Sequence, residues 1–194
     1  MTVTKSKISQ AVEEIFSLYQ FHGDEDYIGE PVTQLEHMSQ AAALAEAEGY
    51  EDEVILAAFF HDIGHLCCAD KAESMDGFGT IDHEHEGAAY LAKLGFSERL
   101  VKLVKSHVAA KLYLTYKHQE YYDRLSDASK ATLVFQGGMM NPAQAWLFES
   151  DPDFELMLHF RYWDDEAKKT NTPFNNLESL KQKAIVHLER NLTA

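Results

Sequence analysis

Ten histidines in 194 residues is a high count, and the useful question is which of them a helix would turn inward. His61 and Asp62 close an apolar run, Val54-Ile55-Leu56-Ala57-Ala58-Phe59-Phe60, that belongs in the middle of a core. A carboxylate beside an imidazole is costly there unless something neutralises it. No Arg or Lys lies close in sequence to do so, which makes a metal cation the expected counter-charge. Adjacent residues on a helix point about 100° apart, which suits one terminal ligand and one bridge. A carboxylate can bridge because each of its oxygens can bind a different ion. Four further residues stand out, each on its own helix: His37, His83, His107 and Asp164. The expectation is therefore a two-metal site held by His37, His61, Asp62, His83, His107 and Asp164, with the ligands arriving from facing helices. Imidazole and carboxylate without thiolate point to iron or manganese, and less to zinc.

The elements that must position these residues are helical. Four prolines and few Val/Thr-rich alternations leave little room for strands, and helical periodicity dominates. A first helix is expected over about 5–20, with Ile8, Val12, Ile15, Phe16 and Tyr19 on one face. An acidic loop follows, Asp24 to Pro31. Thr33-Gln34-Leu35-Glu36 is a capping box opening a second helix that carries His37 and stops at Gly49. A third helix is expected over about 51–65, and 66–81 reads as a loop punctuated by Gly77-Phe78-Gly79. Asp82 can cap a fourth helix, ended by Gly95. Ser97 starts a fifth whose inward stripe is Leu100, Leu103, Val104, His107, Val108 and Lys111. Residues 115–125 read as a polar helix, and Ser126 caps the next. Asn141-Pro142 and Asp151-Pro152 are both cap-plus-first-position pairs, the second opening a helix with Met157, Phe160, Arg161 and Asp164. A final helix spans about 176–191. The expected class is all-α, one domain over 1–194, a helical bundle with a dinuclear metal site in its core.

Composition narrows the partners. Apolar residues at 45% and charged residues at 25% fit a folded domain of a length that buries a sizeable core. A net charge of −15 argues against a nucleic-acid face or an anionic membrane surface, while leaving room for a small anion beside a local lysine or metal. No basic-then-apolar opening and no apolar run near 20 residues is present, so a cytoplasmic location is expected. Cys67 and Cys68 are adjacent and without a partner for a thiolate zinc motif; they read as two reduced thiols at a helix end.

His37, then His61-Asp62 about 24 residues later, and Asp164 far downstream resemble the H…HD…D signature of the HD-domain superfamily. The resemblance covers about residues 30–168. His83, four residues before Gly87, is similar to the third-histidine position of the dinuclear branch, and His107 suits the fourth. Dinuclear phosphohydrolases share that six-ligand set with the mixed-valence di-iron oxygenases related to myo-inositol oxygenase. Tyr27-Ile28-Gly29-Glu30, His61-Asp62-Ile63-Gly64-His65 and Ser106-His107-Val108-Ala109-Ala110-Lys111 resemble more specifically the organophosphonate oxygenases of that second group. This resemblance implies two iron ions in a mixed Fe(II)/Fe(III) state, with O2 as co-substrate. It also implies conversion of 2-amino-1-hydroxyethylphosphonate to glycine and phosphate. Two other readings stay open: a dinuclear HD-domain phosphohydrolase with a bridging hydroxide, and a non-catalytic metal-dependent ligand sensor.

Each further residue has its own expectation. By the resemblance, Tyr27 occupies an iron site until substrate displaces it and Glu30 receives the substrate ammonium; without it, both belong to a solvated loop. Related hydrolases and inositol oxygenase carry lysine where this chain has His65, one turn beyond His61. His65 is therefore expected to hydrogen-bond substrate or to orient the ligands around it. Lys111, four residues after His107, suits a phosphonate or phosphate oxyanion; the bland alternative is a side chain snorkelling to solvent. Ser129, Thr132 and Gln136 share one helix face and either complete that oxyanion pocket or make internal backbone bonds. His83 is preferred to His85 by its spacing from Gly87. Asp164 is preferred to Asp165 because it shares a face with Met157 and Phe160, while Asp165 is expected to look outward with Glu166, Lys168 and Lys169.

Overall fold

The most apolar helix forms the centre, and the rest of the chain wraps it. The structure is a computed structural model describing residues 2–27, 29–67, 75, 80–172 and 177–192. Among them the helices are α1 (Thr2–His22), α2 (Gln34–Ala47), α3 (Asp52–Phe60), α4 (Ile63–Cys67), α5 (His83–Leu94) and α6 (Glu98–Lys117). They continue as α7 (Gln119–Arg124), α8 (Asp127–Phe135), α9 (Pro142–Glu149), α10 (Phe154–Glu166) and α11 (Leu177–Asn191). An isolated extended bridge pairs Asp26 with Thr33. The class is all-α, as the periodicity implies. No helix among the described residues is long and apolar enough to cross a membrane.

Every residue of α3 from Val54 to Phe60 is buried, because α2, α6, α10 and α11 all pack against it. A helix apolar on all sides has no solvent-facing stripe and is stable only when surrounded. Phe59 stacks on Tyr19 of α1 at 4.5 Å, and Phe60 meets Phe96 edge-on at 5.4 Å. These rings anchor the C-terminal end of α3, which delivers His61 and Asp62.

Helix starts follow local chemistry where a side chain can reach the orphan N–H groups. Thr33 and Glu36 form the expected capping box on α2, Ser97 caps α6, Ser126 caps α8, and Asn141 with Pro142 opens α9. Gly95 ends α5 at a φ of 95°, where glycine carries no steric cost.

Four expectations are corrected. The helix expected through residue 65 stops at Phe60, His61 and Asp62 lie in a turn, and α4 begins at Ile63. Asp82 does precede α5 but does not cap it; its backbone is left-handed at φ 63° and its carboxylate pairs with His85 Nδ1 at 2.7 Å. The polar helix expected over 115–125 is divided, since α6 runs on to Lys117 and His118 turns extended before α7. Asp151 does not open α10 either. Its Oδ1 accepts the Asp153 N–H at 2.8 Å and Lys102 Nζ at 2.9 Å, a turn-forming use of the carboxylate that delays the helix to Phe154. Most of the 66–81 loop, including Cys68, Gly77, Phe78 and Gly79, lies outside the described residues, while Cys67 is the last residue of α4.

The turn after α3 has a packing reason. A Cβ on Gly64 would sit 2.0 Å from the His83 carbonyl oxygen, and one on Gly87 would sit 2.9 Å from the Gly64 nitrogen. The two glycines let α4 and α5 touch backbone to backbone, which sets His83 beside Asp62. Gly64→Ala must push α5 away, and overpacking of this kind costs about 1–3 kcal/mol. We expect a lower urea midpoint together with reduced metal stoichiometry for Gly64→Ala; an unchanged midpoint would show that the crossing is looser than described.

Candidate metal centre

Four buried imidazoles present the same face to one carboxylate. In His37, His61, His83 and His107 the Nδ1 lies 2.9, 2.8, 3.2 and 2.7 Å from the carbonyl oxygens of Ala167, Ala58, Thr80 and Val104. A carbonyl only accepts, so each Nδ1 carries the hydrogen and each Nε2 of the neutral ring carries a lone pair. The Nε2 atoms nevertheless meet in pairs, His37 with His61 and His83 with His107, each pair at 3.0 Å. Two lone pairs at that distance repel unless something electropositive joins them.

Asp62 divides its oxygens between the pairs. Oδ2 lies 3.5 Å from His37 Nε2 and 3.3 Å from His61 Nε2. Oδ1 lies 3.3 Å from both His83 Nε2 and His107 Nε2. Asp164 adds Oδ1 to the first pair, 3.4 Å from His37 Nε2 and 3.9 Å from His61 Nε2. Asp62 Oδ2 and Asp164 Oδ1 are buried with no hydrogen-bond partner, a costly state that cations relieve. The donors thus fall into two sets sharing Asp62: His37, His61, Asp62 and Asp164 on one side, and Asp62, His83 and His107 on the other. Both sets are nitrogen and oxygen, without thiolate, and fit a pair of iron-type cations.

The electrostatics agree with that division. Burial alone would raise the Asp62 carboxyl, but His61, then His107 and His37, hold it well below the usual carboxylate range. Burial would raise Asp164 too; the Arg161 guanidinium, then His37, hold it well below that range. For His37, burial pushes down while Asp164 and Asp62 push up, and the balance without metal is about 9. A proton therefore competes with the metal for His37 Nε2.

His65 comes close enough to Asp62 and His83 to belong to a ligand group by distance alone, yet its tautomer differs. Its Nδ1 accepts the Thr80 N–H at 3.1 Å, so the ring hydrogen is on Nε2, leaving His65 a donor. The ring stacks on His83 at 4.1 Å. Burial, then the nearby His83, push it down to about 3, so it is neutral near pH 7.

Asp62, His65, His83, His107 and Asp164 line one cavity of about 60 Å³. Lys111 is buried on its wall, its Nζ donating to Thr132 Oγ1 and Gln136 Oε1, both at 2.8 Å. Burial, then Arg161, push its ammonium down to about 7. Of the three α8-face residues, Thr132 and Gln136 hold Lys111, Thr132 also bonds its own helix through the Ser129 carbonyl at 3.2 Å, and Ser129 lines the cavity. Tyr27 and Glu30 reach the same cavity because Gly29, at φ 77°, closes a turn in which the Glu30 N–H bonds the Tyr27 carbonyl at 2.9 Å. The Tyr27 ring stacks on His37 at 3.9 Å. Burial, then the negative Asp62 and Asp164, hold its phenol protonated well above the usual range.

The structure buries His83 and leaves His85 half exposed. Asp164 is buried, but the outward placement expected of Asp165 is corrected: Arg161 binds it, and Tyr121 donates to it at 2.6 Å. Lys168 is corrected likewise, since it turns in to Glu30 at 3.0 Å. Two cations on the cavity wall, Arg161 and Lys168, were not singled out from sequence for the site. Arg161 donates from Nη1 to Asp164 Oδ2 at 2.6 Å, leaving Oδ1 to face the histidines; its i, i+3 spacing to Asp164 is a local signal that could have found it. Lys168 has no such signal, because Glu30 lies 138 positions away.

Comparison with known proteins agrees with this architecture. The HD-domain family model matches residues 34–132. The chain belongs to the HD-domain family. It is 40% identical over 183 residues to an uncharacterized protein of Acanthamoeba polyphaga mimivirus, covering 94% of this chain and 84% of that protein. It is 39% identical over 169 residues to the 1-hydroxy-2-(trimethylamino)ethylphosphonate dioxygenase (glycine-betaine-forming) of Leisingera caerulea, covering 87% and 86%. It is also 39% identical over 161 residues to the hydroxymethylphosphonate dioxygenase of Gimesia maris, covering 82% and 79%. Asp164 and Gln136 fall beyond the matched HD segment.

Two outcomes follow for this centre. Asp62→Ala removes the anion between the two imidazole pairs, and metal content by elemental analysis should fall at least about tenfold; full retention would refute the shared role. Because His37 without metal is raised from 6.5 to about 9, its protonation stabilises the metal-free fold fully below pH 6.5, and that contribution is lost as pH rises through about 9. Chelator-treated protein should therefore lose stability from pH 6.5 to 9 while metal affinity rises over the same range, read by denaturation and metal titration. Parallel trends would contradict the competition.

Proposed function

We propose that this HD-domain chain is an O2-dependent di-iron oxygenase. Its reaction is C–P cleavage of 2-amino-1-hydroxyethylphosphonate, giving glycine and inorganic phosphate. The carrying observation is that one small cavity holds both the divided Asp62 carboxylate and the buried Lys111 ammonium, in a chain related to two proteins named phosphonate dioxygenases. The irons, held by His37, His61, Asp62, His83, His107 and Asp164 and mixed in valence, supply the one-electron chemistry that lets O2 react with a closed-shell substrate.

The side chains bind and orient. Lys111 has three N–H donors; Thr132 and Gln136 take two, and the third serves a phosphonate oxygen. An ammonium pushed down to about 7 is drawn fully into its charged form by the arriving dianion. His65 Nε2–H donates to a substrate oxygen, and the Ser129 hydroxyl adds a further contact. Glu30, on the wall of the same cavity, receives the substrate ammonium. The Tyr27 ring shields His37 and the iron position beside it until substrate moves it aside, keeping water and O2 out of an unloaded site. The stoichiometry closes with one O2 and no added reductant: glycine and phosphate together contain two more oxygens than the substrate, one on the carboxylate carbon and one on phosphorus.

Phosphate release by iron-loaded protein under air and under argon decides the reading. Release that requires O2 is expected. Release without O2 would make the C–P cleavage hydrolytic and overturn the oxygenase reading, and no release under either gas would sink the phosphonate assignment. Lys111→Met should raise KM for the phosphonate at least about tenfold, the loss of one charge-assisted contact; an unchanged KM would remove Lys111 from the anion site.

A further inference from the structure

Glu30 is occupied before any substrate arrives. Its Oε1 accepts Ser126 Oγ at 2.6 Å and lies 3.0 Å from Lys168 Nζ. The two charged side chains are only 15% and 10% exposed for Lys168 and Glu30, and the pair lies on the wall of the metal-centre cavity. A carboxylate at that depth needs a cation at all times, because leaving one member of a buried pair alone is strongly destabilising. Lys168 meets that need in the ligand-free protein. A substrate that brings its own ammonium brings a second cation to the same carboxylate.

Lys168 also has somewhere else to go. It stands just after the end of α10 and lines a second, outer hollow of about 480 Å³, whose wall carries the carboxylates of Asp165 and Glu166. Asp165 is already paired with Arg161, while Glu166 is exposed, with Lys169 at 3.8 Å. Arg124 also lines the hollow, so the carboxylates there are partly offset; with Glu166 exposed at its wall, an ammonium moved there is held by solvent rather than by a buried partner.

We propose that Lys168 is a specificity-determining residue, an exchangeable stand-in for the substrate's ammonium. An amino-phosphonate displaces it from Glu30 into the outer hollow. A phosphonate without a cation leaves it in place. One ammonium replaces another, no bond is made or broken, and Glu30 keeps one cation beside it throughout, which avoids the cost of an unpaired buried carboxylate. The two named relatives differ at this point of their substrates, one bearing a trimethylamino group and the other no nitrogen. This inference rests on the phosphonate reading above.

The test is calorimetric binding to iron-loaded protein without O2, wild type against Lys168→Met, with 2-amino-1-hydroxyethylphosphonate and with hydroxymethylphosphonate. Removing the competitor should tighten the amino compound, while hydroxymethylphosphonate, now facing an uncompensated Glu30, binds no better. The ratio of the two affinities should shift by about tenfold or more. Equal changes for both compounds, or none, would overturn the assignment to Lys168 while leaving the phosphonate reading intact. Binding of neither compound to wild type would remove the phosphonate reading and this inference with it. A crystal structure of wild type with the amino-phosphonate gives the answer without any variant: Lys168 Nζ should lie beyond 4 Å from Glu30, and a retained contact would refute the exchange.

Discussion

Asp62 carries one negative charge on two oxygens, and each oxygen faces a pair of imidazole lone pairs across 3.3 to 3.5 Å. The rest of the molecule can be understood as what it takes to hold that arrangement. Imidazoles bonded through Nδ1 to backbone carbonyls cannot turn away, since rotating a ring would break its bond and bury the freed N–H. The carbonyls of Ala58, Val104 and Thr80 lie three residues before the ring each receives, so α3, α6 and the turn before α5 each aim their own histidine. His37 alone uses a distant carbonyl, that of Ala167, which ties α2 to the end of α10.

Around this centre the support is uneven. On the α10 side, Arg161 clamps Asp164 and is itself fixed by Asp165 and Tyr121, a continuous set of charge-assisted bonds inside the fold. On the other side stands a turn built on Gly29, reaching the site through one stacked ring and one ion pair. The floor is rigid and the entrance is held by contacts that a ligand of matching chemistry can replace. Such an asymmetry suits a site that must keep its ligands still while its contents change.

What could be read from the chain was whatever depends on neighbours in sequence. Thr33, Ser97, Ser126 and Asn141 cap their helices because the groups they bond lie two or three residues on. The six residues proposed as ligands, which the structure buries together, stood out for another reason: a buried Asp62 beside His61 has few physical excuses. Where two local uses of one side chain compete, reading failed. Asp82 and Asp151 both look like caps, but His85 and the Asp153 N–H claim them. The turn after Phe60 was hidden because only the approach of α5 to Gly64 requires it. The inward Lys168 depends on Glu30, far away in the chain, and no window of sequence contains both.

The candidate ligands are scattered along the chain at positions 37, 61, 62, 83, 107 and 164, and the segment from Gln34 to Thr132 that carries the family's pattern does not reach the last of them. A metal centre assembled this way cannot exist in a partly made chain. Closing it requires contacts between residues more than a hundred positions apart, the slow kind to form. Among the six, only His61 and Asp62 are close in sequence, whereas the local group Asp82, Glu84 and His85 beside His83 needs no folded core to form. A centre held by these residues would be completed only once α10 has docked, so metal uptake would tell a correctly built molecule from one that is merely collapsed.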